Sequence, residues 1–232
     1  MKLKSSPRDF WFWTTLGIAA LFVVFLVYPL FSLFASSFVD AESGSLTLTH
    51  YAAFFRKKYY YRALFNSMSV TLCVTVLAVL IGAPMAYLSS AFNIRGKKLL
   101  DTLIIVSMLS PPFIGAYSWI LLGGRSGLIT QFFADHLGVR TPTIYGFTGI
   151  LLVLTLKLYP FVYLYVSGAL KSIDVSLSEA AESLGCDPLK KVFTIVLPLI
   201  TPTVLAGALL VFMNALADFG TPMLIGEGFV VM

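Results

Sequence analysis

The chain has 232 residues, of which 58% are hydrophobic and only 12% are charged. An ordinary soluble domain is roughly half apolar and about a quarter charged, so this composition excludes one and predicts a membrane protein. The formal net charge is +5, but the basic residues form short clusters at the ends of apolar runs. Without a long basic face, we expect no nucleic-acid partner.

Five apolar runs are long enough to cross a bilayer, which takes about 20 helical residues. They cover residues 10–34, 63–92, 102–122, 144–170 and 198–217. No run alternates apolar and polar residues, so the spans are helices rather than barrel strands. The sequence therefore predicts an all-α, polytopic helical membrane protein with about five transmembrane helices. The first run is too long for a signal peptide and is predicted to be an uncleaved span.

The distribution of Lys and Arg predicts the orientation of these spans. With a cytoplasmic N-terminus, the inside segments hold nine basic residues and the outside segments six. Cytoplasmic segments carry the excess of Lys and Arg, so a cytoplasmic N-terminus is favoured. The basic cluster at residues 56–62 is interleaved with tyrosines, which favours an interfacial segment leading into the second span.

A polar stretch separates the fourth and fifth spans and is predicted to face the cytoplasm. Ser176 and Glu179 have the spacing of a capping box, which predicts a helix that starts beside them. Gly185 is placed to end this helix in a left-handed conformation. Asp187 and Pro188 are suited to the start of a second helix. The pattern predicts a helix–turn–helix; by itself it is also compatible with a solvated amphipathic connector.

The same stretch contains a spaced set of residues: Glu179, Ala180, Ala181, Gly185, Ile195, Leu197 and Pro198. This set resembles the EAA motif of the integral-membrane permeases of binding-protein-dependent ABC importers. In that family the motif forms coupling helices that dock on a cytoplasmic ATPase subunit. The chain has no Walker A loop, since its Gly96-Lys97 pair is followed by Lys98 rather than Ser or Thr. The resemblance thus implies a transport subunit that is not an enzyme, binds no cofactor and relies on ATP bound by its partner.

Two shorter motifs, at residues 110–113 and 217–222, are similar to the ferric-iron branch of these permeases. The resemblance implies ferric iron as cargo, with polyamine, thiamine, phosphonate or sulfate as the alternatives known in related branches. It divides the chain into an N-terminal helix with an external loop, residues 1–62, and a permease core, residues 63–232. The family core usually has one more helix after Asp218, so we expect this core to lack its last helix.

The resemblance also implies partners and a location. The partners are cytoplasmic ABC ATPase subunits, a periplasmic or extracellular substrate-binding protein, a second permease half or copy, and the lipid membrane. The location is the bacterial cytoplasmic (inner) membrane, crossed several times.

Two charged residues near or within the spans are candidates for the translocation path. Lys157 lies inside the fourth run, where it either lines a pathway or extends to the membrane surface. Asp218 follows the fifth run and either meets the substrate or caps the next loop, and we favour the cap. His50 and His136 are far apart, so we expect no metal site.

Two other classes of membrane protein fit the pattern less well. A gradient-driven secondary transporter or channel would place several ionisable residues inside the spans, whereas only Lys157 lies deep. A membrane-embedded enzyme would need paired acids or a nucleophile beside a base, and no span contains them.

Overall fold

The computed structural model describes residues 10–40, 44–92, 94–139, 143–174, 176–177, 181, 183 and 185–227. The chain divides into two compact units, Met1–Tyr61 and Arg62–Met232. The described residues are helical apart from turns, loops and one isolated bridge. The predicted all-α fold class is confirmed.

The first unit is built on one long apolar helix. Helix α1 (Phe10–Phe22), a π-helical turn (Val23–Val27) and α2 (Tyr28–Ser36) follow one another without a break. Together they form a candidate span with no buried residue in its most apolar window. A short antiparallel bridge between Val39 and Leu46 leads into helix α3, Thr49–Arg56.

The second unit contains the remaining spans. Its helices are α4 (Lys58–Ala91, which starts in the first unit), α5 (Lys97–Met108), α6 (Pro112–Gly123), α7 (Leu128–Leu137), α8 (Phe147–Ser172), α9 (Pro188–Lys191), α10 (Leu197–Ala217) and α11 (Gly220–Ile225). A π-helical turn, Val192–Val196, joins α9 to α10, so that 188–217 is continuously helical.

Each of the two π-helical turns ends two residues before a proline. Val23–Val27 precedes Pro29, and Val192–Val196 precedes Pro198. Proline lacks the amide hydrogen of an α-helical bond, and its ring collides with the carbonyl one turn earlier. A widened turn removes that collision by inserting one residue. The chain can therefore carry these prolines without ending the helix.

Helix α8 is the most buried span and forms the centre of the second unit. Small residues of α4 are buried at helical spacing: Ala63, Ser67, Ala78, Gly82 and Ala86. A Cβ atom on Gly82 would lie 2.7 Å from the Tyr159 carbonyl oxygen and 2.9 Å from Val162 Cβ, both on α8. Such close backbone approach is the usual basis of helix packing in membranes.

Among the described residues, four helices are long and apolar enough to span a membrane: Phe10–Ser36, Lys58–Ala91, Phe147–Ser172 and Val192–Ala217. A fifth span exists only as a bent pair, Lys97–Met108 with Phe113–Leu137, whose axes meet at 108°. Five spans were predicted, but the third is not the single helix expected over 102–122. Pro111 is extended, with ψ 144°, because a residue that precedes proline is driven out of the α region.

The fifth span also starts earlier than the predicted residue 198. The helix begins at Pro188 and passes through the π-helical turn before reaching Pro198. Pro198 therefore lies inside a continuous helical stretch rather than at its start.

Candidate functional site

Two helix breaks lie beside the middle of α8. One separates α5 from α6 at residues 109–111, and the other separates α10 from α11 at residues 218–219. The two breaks are packed together, since a Cβ atom on Gly220 would lie 3.1 Å from the ring of Phe113. The motifs at 110–113 and 217–222 are thus neighbours in space. Non-helical backbone at membrane depth is tolerated where it is covered by protein or lines a cavity.

Lys157 of α8 and Asp218 form an ion pair at these breaks. Lys157 Nζ lies 2.5 Å from Asp218 Oδ2, and their side chains are 22% and 3% exposed. The other carboxylate oxygen, Oδ1, accepts the backbone N–H of Thr221 at 2.9 Å. Asp218 therefore caps the following helix and neutralises Lys157 at the same time. Lys157 lies roughly 15 Å along α8 from its first residue, at 1.5 Å per residue.

Two cavities adjoin Lys157. The larger, of about 260 Å³, is lined by Met108, Ser110, Lys157, Leu158, Phe161, Asn214, Ala217 and Asp218. The smaller, of about 200 Å³, is lined by Ser107, Ser110, Gly115, Ala116, Trp119, Val153, Leu156 and Lys157. Ser110 and Lys157 line both. We call Lys157, Asp218 and these two cavities the midspan site.

The polar stretch after α8 begins with a cap at Asp174 rather than at Ser176. Asp174 Oδ1 accepts the backbone N–H of Ser176 at 2.9 Å, and the Asp174 carbonyl accepts the N–H of Leu177. Ser176 is already helical, so the capping box predicted for it is wrong at the capping residue. The hydrogen bond from the Ser176 backbone lowers the pKa of Asp174 below its ordinary value of 3.8, because it stabilises the carboxylate.

The end of this helix has the predicted geometry. Gly185 has a φ of +74°, in the left-handed region. The Cys186 N–H donates to the Ala181 carbonyl at 3.0 Å, five residues earlier. This bond and a left-handed glycine at the position before Cys186 form a Schellman motif. Ala181 is buried at 7% exposure, and a Cβ atom on Gly185 would meet nothing within 4 Å.

The remaining residues of the EAA-like set occupy different elements. Ile195 lies in the π-helical turn, and Leu197 and Pro198 lie in the first turn of α10, both exposed. Glu179 and Ala180 lie outside the described residues. The structure brings Ala181 and Gly185 into one helix end, and it places the other three along the next helix.

Residues 78–232 match the family model described as "Binding-protein-dependent transport system inner membrane component". The chain belongs to this family. The predicted resemblance to permeases of binding-protein-dependent importers is confirmed.

Relatives of this permease family with several different cargoes match the chain. The "Ferric transport system permease protein FbpB" of Actinobacillus pleuropneumoniae is 30% identical over all of this chain and 34% of its own length. The "Putative ferric transport system permease protein FbpB 1" of Haemophilus influenzae is 29% identical over all of this chain and 37% of its own length. The "Molybdenum transport system permease protein ModB" of the same organism is 31% identical over 67% of this chain and 69% of its own. The chain thus spans about a third of the length of the two ferric relatives.

Solved structures agree with the permease fold. The crystal structure of a bacterial ABC transporter involved in the import of the acidic polysaccharide alginate has a TM-score of 0.71, at 20% identity, over 97% of this chain and 78% of that chain. A second structure, of the bacterial alginate transporter in complex with an alginate pentasaccharide-bound periplasmic protein, has a TM-score of 0.72 over 97% of this chain and 77% of that chain.

A second polar cluster in this permease fold was missed from the sequence. The Tyr163 hydroxyl on α8 donates to the Asp101 carboxylate on α5 and lies 3.1 Å from Ser89 Oγ on α4. Lys97 Nζ donates to the Ser89 carbonyl at 2.5 Å. The cluster joins the end of α4 and the start of α5 to the second half of α8. Its one sequence signal is the spacing of Lys97 and Asp101, which puts both on one face of a helix.

Metal ligands do not cluster in the described part of the chain. No group of three or more His, Cys, Asp or Glu side chains that could hold a metal ion occurs there. His50 contacts the Val39 carbonyl, and His136 stacks on Phe132 in α7.

Proposed function

We propose that the chain is the permease subunit, or part of one, of an ATP-driven ABC importer. The observation that carries the proposal is the match of residues 78–232 to the family of binding-protein-dependent inner membrane components. The broken helices and the cavities of the midspan site support it, because transporters form their cargo sites from interrupted helices near the middle of the membrane. In this function Lys157 and Asp218 line the translocation path.

The helix that ends at Gly185 is the coupling element in this proposal. A partner ATPase binds and hydrolyses ATP, and its movement reaches the membrane through the set from Glu179 to Pro198. The Schellman turn at Gly185 supports this role, since it gives the helix a fixed end directly before the helix that leads into the next span. Glu179 supplies a carboxylate that can pair with a basic residue of the ATPase.

The first cargo to test is ferric iron. Two ferric relatives match the whole length of the chain at 30% and 29% identity. Polyamine, thiamine, phosphonate and sulfate are the alternatives, and the spermidine/putrescine and molybdenum relatives show that other branches match as well. A substrate-binding protein on the far side of the membrane delivers the cargo, and a second permease half or copy completes the path. The subunit resides in the bacterial cytoplasmic membrane, with its N-terminus inside.

Co-purification with the ATPase tests this function. The tagged chain is isolated in mild detergent beside a Glu179→Arg/Gly185→Val variant, and the proteins that accompany each are identified by mass spectrometry. We expect an ABC ATPase with the wild type and not with the variant. Gly138→Val is the matched control, because Gly138 also has a left-handed φ of +63° and open space around its Cβ position.

The control separates docking from folding. Gly138 ends α7, on the side of the membrane opposite the predicted coupling helix, so Gly138→Val should retain the ATPase. Absence of any ATPase from the wild type, or equal recovery with the double variant, would contradict the proposal. A gradient-driven transporter would then become the better hypothesis, since an ion pair within the spans is also typical of that class.

A further inference from the structure

We propose that the Lys157 ammonium is an anion-binding group of the translocation path, and that cargo reaches it as a species with anionic oxygens. Such a species is either a free oxyanion or a metal ion held by carboxylate or phosphate ligands. The inference rests on the proposed function and names the cargo class that the midspan site takes.

The cavities are lined by few charged side chains, and these differ in how far they are exposed. Among the described residues that line the two cavities, Lys157 and Asp218 are the only ionisable ones. Asp218 is 3% exposed, and each of its oxygens already accepts a hydrogen bond, from Thr221 and from Lys157. A cationic cargo would therefore find no accessible carboxylate at this site.

Lys157 is in the opposite situation. Its side chain is 22% exposed and lines both cavities. An ammonium has three donors, and described residues occupy one of them. Ser110, which also lines both cavities, makes no hydrogen bond with its hydroxyl to another described residue. Ser110 and Asn214 offer neutral polar atoms that can accept as well as donate, so the charged group open to a ligand at the midspan site is the Lys157 ammonium, a donor.

Donors of this kind select for anionic oxygens. A charge-assisted hydrogen bond from an ammonium is about twice as strong as a neutral one, and it is strengthened further where water is scarce. A polyamine would bring like charge to Lys157, which is unfavourable for the same reason. An unpaired buried ammonium is costly, so Asp218 pairs with Lys157 while the site is empty. When an anion enters, Lys157 contacts both the anion and Asp218.

Direct binding of small probes to the full chain in lipid nanodiscs tests the inference. The probes are radiolabelled molybdate, ferric citrate and spermidine, so that the first two distinguish a free oxyanion from a chelated metal. The variants are Asp218→Asn, which frees the ammonium but keeps an acceptor for Thr221, and Lys157→Gln/Asp218→Asn, which removes both charges together. The double variant avoids a buried unpaired charge, and its thermal unfolding confirms that it is folded.

We expect molybdate, ferric citrate or both to bind the wild type and spermidine not to bind. Asp218→Asn should bind the same anion more tightly, and the double variant more weakly, by roughly 10- to 100-fold for the loss of one charged hydrogen-bond donor. An ion pair that only holds the helices together would not be expected to give tighter anion binding in one variant and weaker anion binding in the other.

Three results would overturn the inference: wild-type affinity in the folded double variant, preferential binding of spermidine, or no saturable binding of either anion by the wild type. The ATPase is absent from this assay. Loss of ATPase co-purification would therefore overturn the proposed function while anion binding could still be measured, and loss of anion binding would overturn this inference while leaving the proposed function standing.

Discussion

Replacing Gly82 by alanine should force α4 and α8 apart where their backbones approach closely. A Cβ atom there would lie 2.7 Å from the Tyr159 carbonyl oxygen, 2.9 Å from Val162 Cβ and 3.1 Å from the Tyr163 nitrogen. These atoms belong to the backbone or the first side-chain carbon of α8, so no rotamer change can relieve the contact. The helices must move apart by roughly 0.7 Å before ordinary contact distances are restored.

Overpacking of this kind costs about 1–3 kcal/mol. In a chain of this size each kcal/mol lowers the Tm by about 2–4 °C, so we expect a decrease of about 2–12 °C for Gly82→Ala. Thermal unfolding in nanodiscs, followed by tryptophan fluorescence, measures it. Gly168→Ala is the matched control, because Gly168 lies within α8 with nothing within 4 Å of its Cβ position.

The control should be neutral or slightly stabilising, since alanine favours a helix by roughly 0.5–1 kcal/mol over glycine. A Gly82→Ala protein as stable as the wild type would refute the close packing of α4 on α8. Equal destabilisation by both substitutions would show that the loss comes from something other than contact between these two helices.

Substitutions at two further positions examine the proposed coupling helix. Gly185→Val should lower ATPase stimulation while leaving the protein in the membrane, because a left-handed conformation costs an L-residue about 1–2 kcal/mol. Gly185→Asn should retain most of the ATPase stimulation, since asparagine tolerates the left-handed region. Equal loss in both variants would point to side-chain bulk instead of backbone conformation. Asp174→Ala should speed hydrogen exchange at the Ser176 amide, whereas Asp174→Ser should not. The folded pKa of Asp174 is lowered, so its cap is present above the ordinary value of 3.8 and is lost as the pH falls through the lowered pKa. The Ser176 amide should therefore stay protected from exchange near neutral pH and lose this protection only in acid. Loss of protection already near pH 6 would contradict the assignment of Asp174 as the cap.

Local rules were sufficient where the structure depends on a few neighbouring residues. Apolar length predicted the first, second and fourth spans, because a bilayer demands about 20 helical residues. Gly185 was predicted to be left-handed, and its φ confirms this. The capping residue was wrong because two acceptors, Asp174 and Ser176, lie two positions apart. Which of them accepts the bond depends on backbone angles that the sequence does not specify.

In the third span, the strong apolar pattern conceals the helix break that Pro111 and Pro112 indicate. Residues 102–122 carry no charge and read as one helix, and the apolar run outweighed Pro111 and Pro112 in the prediction. The steric effect of proline on the preceding residue acts at any hydropathy. The break was therefore available from the sequence, although the 108° between the two axes was not.

The midspan site depends on contacts that no local pattern contains. Lys157 and Asp218 were identified separately, yet they are 61 residues apart and their pairing arises from the packing of α8 against the end of α10. The Tyr163–Asp101 contact spans 62 residues in the same way. Burial made both pairs necessary, since a charge inside a membrane protein needs a partner, but burial is a property of the folded chain.

The continuous helix from Pro188 to Ala217 connects the region of the Gly185 turn to the midspan site. It starts three residues after the Gly185 turn and ends one residue before Asp218, a length of roughly 45 Å at 1.5 Å per residue. A tilt of about 10° around its middle would move each end by roughly 4 Å over that length. The contact between Lys157 and Asp218 is 2.5 Å long, so a tilt that small is enough to part them. A movement of the Gly185 turn would then separate the two charges of the midspan site, without any displacement of α8 itself.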